Sequence, residues 1–243
     1  IVLPYNDLEW CERVLRENKD DLACLIMEPV VSSFGYLPAQ KEFLQGLRDI
    51  TTELDIILIF DEVQSLRIAS GGAQETLGVT PDMTSLGKII GGRMAVRAFG
   101  GRQDLMDLLN PTDGATIAHA GTFNANPVSM VAGKMAMELM IPAEFTRLNA
   151  LGQRIRDGIA DAFAKTGIDG QVTGAGSLFR ILMTSARLVD YRTAQAANAQ
   201  APALERVVAF LRDNGILIAG TGLGALSTPM GDAEVDLFVD IFT

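Results

Sequence analysis

The sequence predicts an α/β protein: a mainly parallel sheet with helices on both faces, followed by a small α+β domain. Three observations predict it. The apolar runs at 23–27 and 56–60 carry no polar alternation, the pattern of strands buried on both faces. Between them, 38–54 has helical spacing, so strand, helix and strand form a parallel βαβ unit. Beyond residue 166, short strand candidates alternate with helices and glycines punctuate the turns at 174, 176, 215, 220, 222 and 224.

The elements follow in order. Residues 4–18 read as a turn feeding a short helix, with Trp10, Val14 and Leu15 near helical spacing and Asn6 or Asp7 as its cap. The strand at 23–27 ends in Glu28-Pro29. The helix over 38–54 accepts Pro38 in its first turn and buries Phe43, Leu44, Leu47 and Ile50. The strand at 56–60 ends in Asp61-Glu62, and a third segment at 82–87 ends at Lys88. A further strand is expected at 94–99, closed by Gly100-Gly101, then a short helix over 102–109 and a loop over 115–126. The helix over 127–140 is expected to face Met130, Val131, Met135 and Leu139 inward. A long helix over 143–166, with Leu148, Leu151, Ile155, Ile159 and Phe163 on one side, is expected to connect two domains. Strands at 171–173, 177–183, 216–219 and 225–228 and helices over 202–214 and 232–242 complete the second, while 185–201 reads as a surface loop. The expected division is a large domain over 1–142, the connecting helix over 143–166 and a small domain over 167–243.

Composition narrows the chemistry. The 243 residues carry 20 Lys+Arg and 30 Asp+Glu, a formal net charge of −10, which argues against a nucleic-acid binder and against docking on an anionic membrane. Two cysteines, Cys11 and Cys24, make no disulfide framework and read as core or helix residues of a protein in a reducing compartment. A single histidine, His119, excludes a His-rich metal site, and no metal is expected. His119 itself reads as a hydrogen-bonding loop residue. The chain opens at Ile1 with no signal-peptide pattern, so cytoplasm is the default location and the chain is expected to be cut from something longer.

Glu28, Asp61 and Lys88 stand at the ends of apolar segments. In open parallel sheets, ligands bind beyond the carboxyl ends of the strands. Taken singly, Asp61-Glu62 would only cap or solvate a strand end. Lys88 is more specific: flanked by Leu86-Gly87, Ile89-Ile90 and Gly91-Gly92, it is expected to be poorly solvated, which favours a neutral, nucleophilic amine. A carboxylate and such a lysine, with almost no histidine, fit pyridoxal 5'-phosphate, which needs a lysine for its Schiff base and an acid for its ring nitrogen.

The runs Leu58-Ile59-Phe60-Asp61-Glu62-Val63-Gln64, Gly78-Val79-Thr80-Pro81-Asp82, Ser85-Leu86-Gly87-Lys88-Ile89-Ile90-Gly91-Gly92, Ala98-Phe99-Gly100-Gly101-Arg102 and His119-Ala120-Gly121-Thr122-Phe123-Asn124-Ala125-Asn126-Pro127 resemble, in order and spacing, those of class III aminotransferases. The resemblance implies a fold type I pyridoxal-phosphate enzyme. It implies Lys88 as the Schiff-base lysine, Asp61 on the pyridinium nitrogen, Val63 on a ring face and Gln64 near the phenolic oxygen. Thr122 would reach the cofactor phosphate across a homodimer interface. Glu28 matches a family Glu-Pro motif, and Arg67 stands where a substrate carboxylate clamp is expected, with a surface salt bridge as its other reading. Two departures stand out: Ser65-Leu66-Arg67 replaces a Thr-Gly-Phe-Arg run, and Arg93 and Arg97 replace glycines after the lysine. These two cations would clash, bind an anionic substrate group, or reach solvent or a partner subunit.

Family members are longer, and their preceding portion supplies the phosphate loop and the ring-stacking aromatic residue. The implied function is transfer of an amino group between an amino acid or amine and a keto acid. Phe123-Asn124-Ala125-Asn126 resembles the branch with β-amino-acid transaminases. The alternative within the family is glutamate-1-semialdehyde aminomutase, an isomerase resembled through Gly72-Ala73-Gln74-Glu75 and Gly78-Val79-Thr80-Pro81-Asp82. A further alternative is a non-catalytic fragment acting as a dimerisation module.

Overall fold

The structure is a computed structural model that describes residues 1–33, 35–114, 117–197 and 201–243. In chain order it contains α1 (Leu8–Glu17), β1 (Cys24–Met27), β2 (Val30–Val31), β3 (Leu37–Pro38), α2 (Lys41–Glu53), β4 (Ile57–Asp61), α3 (Gly72–Leu77), β5 (Met83–Leu86), β6 (Ala98–Gly101), α4 (Gln103–Asp107), α5 (Pro127–Leu139), α6 (Pro142–Thr166), β7 (Gln171–Thr173), β8 (Leu178–Leu182), α7 (Tyr191–Ala197), α8 (Ala201–Asp213), β9 (Leu223–Ala225) and α9 (Asp232–Phe242). Among the described residues, no helix is long and apolar enough to cross a membrane, and no three His, Cys, Asp or Glu side chains gather as metal ligands.

The chain divides into two compact units. One comprises Leu8–Pro29 and Lys41–Ile141; the other comprises Ile1–Asp7, Val30–Gln40 and Pro142–Thr243.

The first unit is the α/β body. Its four-stranded sheet has the order β1-β4-β5-β6. β1 pairs parallel with β4 and β4 with β5, whereas β6 closes the sheet antiparallel. The expected face of α2, Phe43, Leu44, Leu47 and Ile50, is buried, together with Leu58 and Phe60 of β4. Two expectations are corrected here. β1 is an edge strand with one open face, on which Cys24 and Ile26 are exposed; only Cys11 of the two cysteines is buried. The strand expected at 94–99 falls at Ala98–Gly101, because the two glycines lie inside the ladder. A methyl group at Gly101 would stand 2.2 Å from the Asp82 carbonyl oxygen, so only glycine allows that pairing.

At the amino end of β5, the buried Asp82 joins three segments. Its carboxylate accepts the Leu58 N–H at 2.8 Å and pairs with Arg48 at 2.9 Å and Arg102 at 3.0 Å. Burial works against the ionised form, but the backbone N–H and the two guanidinium groups prevail and hold the carboxyl below its usual range.

The second unit carries an antiparallel sheet, β7-β8-β9, covered by α6 and α9. The expected side of α6 is buried, and every residue of β8 is buried. Arginines replace regular pairing at the loops: Arg156 donates to the Gly176 and Leu178 carbonyls at 2.6 and 2.9 Å, and Arg180 to those of Ser33 and Thr221 at 3.1 and 3.2 Å. Desolvation pushes both guanidinium groups down from their usual value.

Four further corrections fall in this unit. Residues 216–219 form no strand, and the strand expected at 225–228 lies at Leu223–Ala225. The segment expected as a surface loop, 185–201, contains α7, with residues 198–200 outside the described ones. Asp190 caps α7 by accepting the Thr193 N–H at 2.8 Å, while Leu188 and Ala194 are buried with Val31 and Leu182. Of the two expected caps of α1, Asn6 instead accepts the Gln40 N–H and donates to the Val189 carbonyl, both at 2.9 Å.

Candidate active site

The three polar residues singled out at segment ends all lie at carboxyl ends of parallel strands. Glu28 follows β1, Asp61 is the last residue of β4, and Lys88 comes two residues after β5. β4 and β5 are neighbours, with Asp61 opposite Ser85. Asp61 and Lys88 therefore face one crevice, the place where such sheets bind ligands.

Alternation along β4 assigns the two adjacent carboxylates different tasks. Leu58, Phe60 and Glu62 fall on one side, and all are fully buried. Glu62 accepts the Ser65 hydroxyl at 2.5 Å and the Ala73 and Gln74 N–H groups at 2.8 Å each. It is a structural tie to the start of α3. Asp61 falls on the opposite side, half-buried, and accepts the Val63 N–H at 3.0 Å. That bond turns the chain so that Val63 stands over Gly87, where an added methyl would meet the valine at 3.3 Å.

Lys88 has φ +49, in the left-handed region that a non-glycine residue adopts only under constraint from its surroundings. The constraint is α5. Lys88 opens a 3-10 turn, Lys88–Gly91, that lies against this helix. A methyl at Gly133 would stand 2.3 Å from the Ile90 carbonyl oxygen, so glycine lets the turn sit directly on the helix backbone. α5 itself starts at Asn126, whose Oδ1 accepts the Val128 and Ser129 N–H groups at 3.1 and 3.3 Å, followed by Pro127 at the first position.

Asp61, Val63 and Lys88 line one open groove with Ser85, Arg97 and Phe99. Its volume, about 1570 Å³, exceeds the 300–1,000 Å³ of ordinary small-molecule sites, so the groove is an open cleft continuous with a wider face. His119 also lines it and meets Phe99 edge-on, with ring centroids 5.4 Å apart.

Other expected site residues stand elsewhere. Gln64 and Arg67 are half-buried at the 3-10 turn Ser65–Ile68, Glu28 is half-buried before the buried Pro29, and Thr122 is exposed in the loop before α5. None of these four lines the groove, although Asn124 and Asn126 of the Thr122 loop do. Lys88 is exposed, so the expectation of poor solvation is corrected, although Leu86 and Ile90 line the same groove. Arg93 and Arg97 are both exposed, but only Arg97 lines the groove. Sequence reasoning missed Ser85 and Phe99; the strand register, which pairs both with the Asp61 row, is the signal that finds them.

The aminotransferase class-III family profile matches residues 3–233. The chain belongs to this family. It is 36% identical over 242 residues to glutamate-1-semialdehyde 2,1-aminomutase 2 of Brevibacillus brevis, covering 98% of this chain and 55% of that protein. Among solved structures it is similar to an ω-transaminase from Sphaerobacter thermophilus, at 48% identity and a TM-score of 0.96, covering 100% of this chain and 56% of that one. It is also similar to a β-phenylalanine aminotransferase from Variovorax paradoxus, at 33% identity and a TM-score of 0.93, covering 99% and 56%. The chain thus spans about half the length of the relatives it matches. These similarities agree with a partial fold type I architecture.

Proposed function

We propose that the protein containing this chain is a pyridoxal-phosphate-dependent class III aminotransferase, moving an amino group between an amino acid or amine and a keto acid. The observation that carries this reading is the placement of Asp61 and Lys88 at the carboxyl ends of adjacent parallel strands, lining one groove. The residues fit pyridoxal phosphate by their chemistry: an amine to hold its aldehyde carbon, a carboxylate for its ring nitrogen and an apolar Val63 for its ring face. The bound group supplies an electron sink for the carbon that carries the amino group.

The chain's own side chains do the rest. The Asp61 carboxylate, oriented by the Val63 N–H, would hold a proton on the ring nitrogen. Lys88 would carry a proton to and from the substrate carbon. Gln64 would serve the phenolic oxygen, and Thr122 of a second copy would donate its hydroxyl to the phosphate in a homodimer. The exposed position of Thr122, ahead of an apolar helix face, supports this last assignment.

Glutamate-1-semialdehyde aminomutase is the second reading, favoured by the name of the Brevibacillus brevis relative. Amino transfer from a donor to 2-oxoglutarate or pyruvate identifies a transaminase; conversion of the semialdehyde without an external acceptor identifies the mutase. In both, Lys88→Ala abolishes turnover and borohydride fixation of the cofactor. Full turnover in that variant would refute the assignment.

A further inference from the structure

Arg97 stands at the carboxyl end of the sheet and has no part in the cofactor contacts proposed above. The β5–β6 ladder ends with Leu86 opposite Ala98, and its continuation by one antiparallel step would set Arg97 opposite Gly87, the residue before Lys88. Residues directly opposed in such a pair share a face. Arg97 also shares the face of Phe99, two residues along; Phe99 pairs with Ser85, and Ser85 pairs with Asp61. One face thus carries Asp61, Ser85, Phe99 and Arg97 in adjacent rows, and Arg97 lines the same groove as Lys88.

The electrostatics of that groove are one-sided. Among the described residues Asp61 is its only lining carboxylate, against Lys88, Arg97 and a Lys134 that is paired with Glu138 at 2.6 Å. Asp61 already accepts the Val63 N–H and is assigned to the ring nitrogen. Among the described residues, the Arg97 guanidinium makes no hydrogen bond or ion pair; it is exposed and lines the groove together with Val96 and Phe99. A planar guanidinium beside apolar walls recognises a carboxylate through two parallel hydrogen bonds, a geometry that an ammonium group does not reproduce.

We propose that Arg97 binds the carboxylate of the amino donor, so that the donor is an amino acid and not a simple amine. This inference rests on the aminotransferase reading. An anion on Arg97 has two possible sources, the donor's carboxylate and the cofactor's phosphate, and the experiment separates them.

The test uses the protein expressed from its full reading frame and loaded with cofactor, as wild type, Arg97→Gln and Arg97→Lys. Four quantities are measured: KM for an amino acid donor, KM for its decarboxylated amine, the calorimetric Kd for propionate, and the cofactor Kd. Expected for R97Q is a rise of tenfold or more in KM for the amino acid and in the propionate Kd. The amine KM and the cofactor Kd stay within twofold, and R97K recovers only part of the loss. An equal rise for acid and amine, or no rise for either, overturns the proposal. A weakened cofactor Kd with an unchanged propionate Kd overturns it in favour of the phosphate. If the wild type transfers no amino group and fixes no cofactor on Lys88, the aminotransferase reading fails; the propionate measurement still stands, and a Kd unmoved by R97Q overturns the anion site itself.

Discussion

Two buried carboxylates set the terms at the residue scale. Glu62 has no solvent, so its carboxyl oxygens depend on the Ser65 hydroxyl and the Ala73 and Gln74 N–H groups. Glu62→Gln turns an amide N–H₂ toward donors, and each charge-assisted bond weakens. The expected loss is about 2–3 kcal/mol, read as a lower urea midpoint with an unchanged slope; an unmoved midpoint removes Glu62 as a tie. Asp82 provides a pH dependence. Its folded carboxyl sits below its ordinary value, so its contribution to stability is complete above that value and is lost as pH falls through the folded pKa. Asp82→Asn should destabilise the α/β unit by about 3 kcal/mol at pH 7, because Arg48 loses its buried partner. The difference from wild type should shrink below pH 4; a difference that is constant from pH 7 to pH 3 contradicts the pairing. The sequence held part of this. Alternation from Leu58 and Phe60 places Glu62 inward and Asp61 outward. The partners of Asp82 are not legible, since they come from α2 and the segment after β6.

At the scale of elements, α5 shows why a correct helix was read with the wrong face. Its boundaries were legible from Asn126-Pro127, but it is apolar nearly all round, so no polar stripe orients it. Met130, Val131, Met135 and Leu139, expected inward, are exposed. The face turned to the Lys88 turn consists of small residues, with Ser129 and Gly133 buried, because the two backbones approach closely. Large apolar residues mark a core face in most helices; here, small ones mark the contact. Gly133→Ala should push the Ile90 carbonyl away and carry Lys88 with it. Cofactor affinity in the loaded protein should fall tenfold or more, while Val131→Ala on the outer face leaves it unchanged. Equal affinity in the Gly133 variant would show that the turn does not depend on the helix. Elsewhere, βαβ periodicity located β1, α2, β4 and β5, since apolar runs and turn residues are local signals. β6 and α7 were misplaced because glycines inside a ladder and an Ala/Gln/Asn-rich helix both imitate loops locally, and only long-range pairing and burial distinguish them.

For the whole molecule, the decisive property is how the α/β unit distributes its apolar surface. Val128, Val131, Met135 and Leu139 of α5 are more than half exposed, as is Ile26 on the open face of β1, and Phe123 before α5 is 81% exposed. The four α5 residues recur at i, i+3, i+7 and i+11 along one side of the helix, and a soluble monomer seldom leaves such an apolar stripe uncovered. The chain spans about half the length of its relatives, and the proposed homodimer places Thr122 beside the same face. Apolar attraction is opposed by the net charge of −10, whose mutual repulsion falls as salt screens it. The 243-residue chain produced alone should therefore self-associate above its 26.0 kDa mass, and more strongly in 0.5 M than in 0.05 M sodium chloride, about a threefold change in screening length. Sedimentation velocity at several protein concentrations measures this directly. Replacing Val131 and Leu139 together by lysine should return the chain to monomer without lowering its thermal midpoint, because neither side chain is buried. A wild-type chain that remains monomeric at both salt concentrations would mean that the α5 face tolerates water, and the homodimer would then have to form through another surface.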